Sequence, residues 1–222
     1  RLSASNAAIE PSLLANAGTA LSGTGAIQYN PPAELVPEDV RSMLGAMTNR
    51  RTVPPLKTFV EEGGTIIALG SSARIGEVLG LPVKDHLVET VDGKEKPLGR
   101  AKYYVPGSVL RAKFDNQNPL AYGMAPEGFV FFDNNPVFDV PTSGNVKVNP
   151  VVEFTSKTPL YSGWAWGQQY LDGGKIAAEA SIGAGKVVLL AFEPTFRGTP
   201  HATFKIFFNG LYYGSAKDAA LP

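Results

Sequence analysis

The sequence predicts an α/β protein, a three-layer sandwich that carries a β-rich insertion, and three observations lead there. Thr65-Ile66-Ile67-Ala68-Leu69 is an unbroken apolar run of strand length, with a helical pattern on either side. Near the end, residues 176–182 and 186–192 form two further apolar runs, joined by Gly183-Ala184-Gly185 and followed by a helical pattern. Between these regions, residues 83–171 break into short β-like pieces separated by Asn, Pro and Gly turns. Helix, strand, tight turn and helix is the order of a parallel α/β sheet, so the middle reads as an inserted antiparallel or irregular unit.

Taken in order, residues 1–30 are rich in Ala, Ser, Asn and Gly and are expected to be a poorly structured lead-in. Val36, Val40, Met43, Leu44 and Met47 then recur at helical spacing over residues 34–47, with Pro37 suited to a first turn. A second helix fits residues 54–62, where Leu56, Phe59 and Val60 share a face and Gly63-Gly64 supplies the stop. After the strand at 65–69, Gly70-Ser71-Ser72 turns into a helix bearing Ile75, Val78 and Leu79, ended by Gly80 and Pro82. Strand pieces are expected at 103–105, 109–114, 129–132 and 151–154. A last helix over 200–213 places Phe204, Phe207, Phe208 and Leu211 on one stripe. The α/β domain is thus expected over 31–214, its insertion over 83–171, with 215–222 as a tail.

Composition narrows the function classes. Twenty basic residues balance twenty acidic ones, so no overall field draws nucleic acid or an anionic membrane, and neither is an expected partner. No apolar run reaches membrane-spanning length. The absence of Cys removes disulfides, thiolate metal sites and a cysteine nucleophile. The chain opens at Arg1, without Met or a signal pattern, and is expected to be a processed product or a fragment.

The turn after the first clear strand is the main chemical candidate. A nucleophile on a strained strand-to-helix turn is exposed between glycines, and the helix N-terminus steadies a developing anion. Here Gly70 stands in the first glycine position and Ser72 in the nucleophile position, but Arg74 replaces the second glycine. A serine hydrolase would pair Ser72 with His201 and an acid, either Glu193 or Asp133. Against it, Ser71 and Ser72 suit the capping of the following helix, and His201 suits a helix start bonded to its neighbouring loop. His86 and His201 stand apart with no zinc-binding spacing, and Asp115 and Asp133 lack the density of a Ca²⁺ loop, so no metal site is expected. No phosphate-binding glycine loop occurs, because Leu21-Ser22-Gly23-Thr24-Gly25 lacks a preceding strand.

Trp164 and Trp166 alternate in Ser162-Gly163-Trp164-Ala165-Trp166-Gly167, with Tyr170 close behind. Paired rings on one face suit stacking on a sugar or contact with a partner protein. The other reading has them filling the seam between insertion and sheet. Arg197 is expected either to fix its loop through carbonyl contacts or to meet an anion.

The segment GGTIIALGSSARIGEVLGLP resembles the strand, Gly-x-Cys-x-Gly, helix pattern of class I glutamine amidotransferases. In VVLLAFEPTFRGTPHATF, Phe192 and Pro194 match that family's late Phe-His-Pro-Glu, while Glu193 stands at the histidine and Thr195 at the glutamate. The resemblance implies a flavodoxin-like or amidotransferase-like three-layer fold whose triad is gone. Several segments over about residues 40–214 also resemble the C-terminal region of large bacterial zinc carboxypeptidase-like proteins. These include YYVPGSVLRAKFDNQNPLAYGM and SGWAWGQQYLDGG. That resemblance implies a non-catalytic accessory or interaction domain of a secreted or periplasmic protein. Its partner would be the rest of its own polypeptide or a second copy, and zinc would belong to the peptidase part. A cleft around Ser71, Ser72, Glu193, Thr195, Arg197 and His201 binding a small molecule or glycan is the alternative. Such a sheet also needs strands upstream of residue 31, which residues 1–30 do not supply.

Overall fold

The computed structural model describes residues 33–43, 50–141, 146–214 and 216. The lead-in at 1–30 and almost all of the tail lie outside the described residues. Over 34–43, two 3₁₀ segments, Ala33–Leu35 and Glu38–Met43, stand in the first part of the α-helix expected over 34–47, whose remainder lies outside the described residues. Pro37 falls between them; it offers no N–H and disfavours helical backbone at Val36, so the helix cannot run through.

Helix α1 (Val53–Glu61) begins with Pro54 and Pro55 in its first turn. Its end is closed by Gly63 N–H to Val60 O (3.0 Å) and Gly64 N–H to Phe59 O (2.8 Å), with Gly63 in the left-handed region. Strand β1 (Thr65–Leu69) follows, then a 3₁₀ turn (Gly70–Arg74) and the single-turn helix α2 (Ile75–Val78). The middle supplies β2 (Lys84–Asp85), β3 (Val88–Val91), β4 (Lys94–Pro97), β5 (Ser108–Phe114), β6 (Glu127–Phe132), β7 (Phe138–Asp139), β8 (Val148–Glu153) and β9 (Leu160–Ser162). Strands β10 (Lys175–Ile182) and β11 (Gly185–Leu190) and helix α3 (Phe204–Gly214) complete the chain.

Nine strands form one sheet with the main order β1-β11-β10-β8-β5-β6, and β9 joins through β5. Only β1 and β11 are parallel; the other pairings in this sheet are antiparallel. The molecule is therefore a mixed α/β protein, but the flavodoxin-like parallel sheet expected from the sequence is not what forms. The reason is local. Only Gly183 and Ala184 separate β10 from β11, and a two-residue loop can join only antiparallel neighbours. Strands β5, β6 and β8, from the stretch read as an insertion, continue this same sheet through the β8–β10 pairing.

Two smaller departures share a cause. Strands β3 and β4 form a hairpin that was not expected, turned by Asp92 (φ 53°) and Gly93 (φ 72°). An Asp-Gly pair supplies the positive φ values a tight hairpin needs, and its strands, one fully exposed and one half-buried, lack the apolar alternation that reveals strands elsewhere. Conversely, residues 103–105 give one isolated bridge, Tyr104 to Trp166, not a strand.

Helices flank the parallel pair on both faces. Thr65 donates from Oγ1 to Gly214 O (2.8 Å), and a methyl on Gly210 would lie 3.4 Å from Ile67, so α3 covers the Thr65 and Ile67 face. On the other face α2 packs so closely that a Cβ on Gly76 would stand 2.6 Å from Leu189. Between the layers, Leu110, Phe132, Phe138, Phe154, Leu189 and Phe192 are fully buried.

Candidate functional site

The parallel pairing of β1 with β11 brings two chain segments out of the sheet side by side. Gly70 N–H donates to Phe192 O (3.1 Å), which aligns the turn after β1 with the residues after β11. Ligand sites of α/β proteins form at such carboxyl ends. Gly70 is buried with φ 55°, a conformation that strains any L-residue. The strain falls on Gly70, while Ser72, the nucleophile position of the resemblance, keeps negative φ within the 3₁₀ turn.

What occupies the turn is an acid. A Cβ placed on Gly70 would stand 2.0 Å from Glu193 Oε1 and 2.8 Å from its carboxyl carbon, so the carboxyl group rests against the glycine backbone. Glu193 is anchored by its own N–H, which donates to Phe131 O (2.9 Å) at the end of β6. Burial raises its pKa above the ordinary 4.5; the Asn135 amide lowers it, and nearby Asp133 raises it. Asn135 is itself buried, and its Nδ2 reaches no partner at full hydrogen-bond geometry, so its hold on the carboxylate is weak.

The other residues named from sequence are spread around this acid. Ser71 is half-buried and Ser72 exposed within the 3₁₀ turn, and neither side chain caps a helix. The turn is instead braced by Arg74, whose guanidinium pairs with Glu77 and Asp85, each at 3.3 Å. Thr195 is exposed. Arg197 has φ 47° and its guanidinium lies over the Phe196 ring at 5.1 Å, a cation–π contact. His201 is exposed and makes no hydrogen bond among the described residues; its ring sits 5.7 Å from that of Phe204. No hydrogen bond joins Ser72 to His201 among the described residues. His86 pairs Nδ1 with Asp139 Oδ1 at 2.7 Å beside the β2–β7 pairing, a fastening contact.

Sequence reasoning missed Thr203 and Asn135. The buried Thr203 hydroxyl meets Pro194 O (2.6 Å) and Pro200 O (2.8 Å), closing the loop that carries Thr195, Arg197 and His201. Its place three residues after Pro200 was the available signal. Asn135, one of two asparagines in a turn, carried none.

A second feature adjoins the first. Phe131 stacks on Phe196 with centroids 4.2 Å apart, and Phe129 meets Tyr161 at the same distance with the rings tilted by 37°. Trp164 and Trp166 are 52% and 53% exposed and lie beyond the end of β9, so they do not fill a seam. Their backbone is fixed in place. Ser108 Oγ bridges the Trp164 N–H (2.9 Å) and carbonyl (2.6 Å), and the Trp166 indole N–H donates to Ala101 O (2.8 Å). Gly167 must be glycine, since a Cβ there would strike Lys102 O. Tyr104 meets Trp164 edge-on at 6.1 Å and lies under Arg100 at 4.9 Å; Tyr170 is 39% exposed.

Among the described residues, no group of three His, Cys, Asp or Glu side chains gathers to hold a metal ion. No helix there is long and apolar enough to cross a membrane.

No family model matches the chain, and no curated protein matches it. Among solved structures it is similar to a protein described as thua-like from Parabacteroides merdae ATCC 43184, at TM-score 0.46 and 12% identity, covering 89% of this chain and 82% of that one. A thua-like protein from Bacteroides uniformis ATCC 8492 is similar at TM-score 0.45 and 9% identity, over 76% of this chain and 65% of that one. The cytoplasmic protein STM3548 from Salmonella typhimurium is similar at TM-score 0.41 and 11% identity, over 75% and 61%. The chain thus spans less than two thirds of the length of the last two proteins. Likeness at this level assigns no activity.

Proposed function

We propose that this chain is a non-catalytic interaction domain built on an amidotransferase-like turn that has lost its chemistry. The supporting observation is the Glu193 carboxyl against Gly70. An acyl-transfer site needs donors aimed at a developing oxyanion. An acid at that turn opposes such an anion once ionised, and among the described residues no hydrogen bond joins Ser72 to a base that could activate it. The resemblance to zinc carboxypeptidase-like proteins supports a place beside a peptidase part in a secreted or periplasmic protein. That placement rests on sequence segments alone, and any zinc chemistry belongs to the other part.

Interaction then falls to the aromatic face. Trp and Tyr dominate protein contacts because they bury much area with few rotatable bonds. Trp164, Trp166, Tyr170 and Tyr161 are all exposed within one short stretch of chain. The favoured partner is the remainder of the same polypeptide, with a second copy next. Acrylamide quenching tests the assignment. Tryptophan fluorescence should be strongly quenched in the isolated chain and protected in the assembled protein; equal quenching in both would reject this face as the contact. A glycan-binding module is the second reading, favoured by two half-open indole rings, one of them against Tyr104, and by the exposed Tyr170. Saturable fluorescence change with oligosaccharide, lost in Trp164→Ala, would select it.

A further inference from the structure

We propose that the cavity under the C-terminal end of α3 binds a small zwitterion, a molecule carrying an ammonium and a carboxylate a few bonds apart, as a free amino acid does. The cavity is about 500 Å³ and is lined by Lys147, Asn149, Glu179, Ser181, Lys186 and Tyr213, among others. That volume suits a small ligand. It opens where β1 and β11 begin, at the Thr65 and Lys186 end, whereas Gly70 and Glu193 lie where those strands finish. The proposal is therefore independent of the function proposed above.

The register builds the site. Asn149 stands opposite Glu179, Glu179 opposite Val188, and Ser181 opposite Lys186, so Glu179 and Lys186 share one face of the sheet as diagonal neighbours. Glu179 is only 7% exposed. Its Oε1 accepts from Asn118 Nδ2 (3.0 Å) and Asn149 Nδ2 (3.3 Å), which fixes the carboxylate's orientation. Both bonds use the same oxygen. Oε2 has no hydrogen-bond partner among the described residues, and an ionised carboxylate has capacity for more. No cation of the described residues forms an ion pair with it, an unusual state for so buried an acid.

Two cations line the same cavity, and one of them is engaged elsewhere. Lys186 Nζ donates to Tyr213 O (3.2 Å) and lies 3.7 Å from the centre of the Tyr213 ring. Of its three donors only one is so used. Lys147 is exposed and forms no ion pair among the described residues. The cavity thus holds a buried acid and two lysines that form no direct ion pair with it among the described residues. A simple anion entering it would meet Glu179, and a simple cation would meet the lysines. A dipolar molecule answers both, its ammonium to Glu179 Oε2 and its carboxylate to Lys147 and Lys186.

The test is a titration of the folded chain with the common L-amino acids, followed by amide chemical shifts, with methylammonium and acetate as half-ligands at matched ionic strength. At least one amino acid should give saturable shifts confined to the residues around Glu179 and Lys186, and each half-ligand should bind about tenfold more weakly or worse. Glu179→Gln should weaken binding about tenfold, as expected for a charge-assisted contact. Because Glu179 also orders Asn118 and Asn149, the exposed Lys147→Gln variant serves as the second probe and should weaken binding without changing the melting temperature. No saturable binding by any amino acid would overturn the proposal. So would half-ligands binding as tightly as amino acids, or unchanged affinity in both variants.

Discussion

At the scale of the residue, the character of the site is decided by Gly70 and Glu193. The glycine is required twice, once by φ 55° and once by the acid lying on its Cα. Gly70→Ala is expected to lower stability by about 1–3 kcal/mol, the usual range for an L-residue forced into such backbone. Part of that loss comes from Glu193, so adding Glu193→Ala should return some of it, and denaturant melts of the two single variants and the double variant would measure the coupling. Glu193 also sets a pH dependence. Its folded pKa lies above 4.5, so the folded state holds its proton more tightly than the unfolded chain. Stability from this group is then greatest below the unfolded value and falls as pH rises through the folded one. Glu193→Gln should flatten that portion of the stability–pH curve; a curve identical to wild type would show that the acid is not buried as described. The sequence displayed half of this arrangement. Gly70 before Ser71-Ser72, and Glu193 between Phe192 and Pro194, marked the right positions, but that the acid would lean across onto the glycine depends on the β1–β11 register. Local sequence does not carry a register.

At the scale of the element, apolar runs were the reliable signal. Residues 65–69, 109–114, 129–132, 176–182 and 186–192 were all legible as strands, 176–182 and 186–192 from near-continuous burial and 109–114 from its alternation of buried apolar residues with exposed Arg111 and Lys113. Exposed strands were not legible. Lys94-Glu95-Lys96-Pro97 carries no apolar residue outward or inward, and only the Asp-Gly turn announced its hairpin. The short loop at Gly183-Ala184 was seen, yet its consequence, an antiparallel β10–β11 pair, outranks the parallel grammar read from the first strand. Strand β11 is the element whose packing matters most, since it contacts β1, β10 and, through Leu189, α2. Leu189→Ala is expected to cost about 2–5 kcal/mol in a chemical melt, the range for a fully buried leucine. A loss under about 1 kcal/mol, the range of exposed positions, would mean that α2 does not seal that face.

At the scale of the whole molecule, one curled sheet links two kinds of surface. Its parallel end is covered by helices on both faces and carries the Gly70 turn. Its antiparallel end, β5, β6 and β9, leaves Phe129, Phe131 and Tyr161 on a partly open face that continues to Phe196 and borders the tryptophans. Such an aromatic surface is the usual mark of a contact site, and the acid at the Gly70 turn is the observation on which the proposed loss of catalysis rests. From sequence the tryptophans could be singled out but their exposure could not, because Ser108 and Ala101, which hold them in place, are brought to them only by the fold.

The central claim is that the Gly70 turn performs no acyl chemistry, and mass spectrometry after exposure to a fluorophosphonate probe tests it most directly. The account predicts an unmodified chain, with Ser72 and Ser71 peptides at their native masses after long incubation. Stoichiometric labelling of Ser72, abolished by heat denaturation and by His201→Ala, would contradict it and establish a working serine nucleophile beside Glu193.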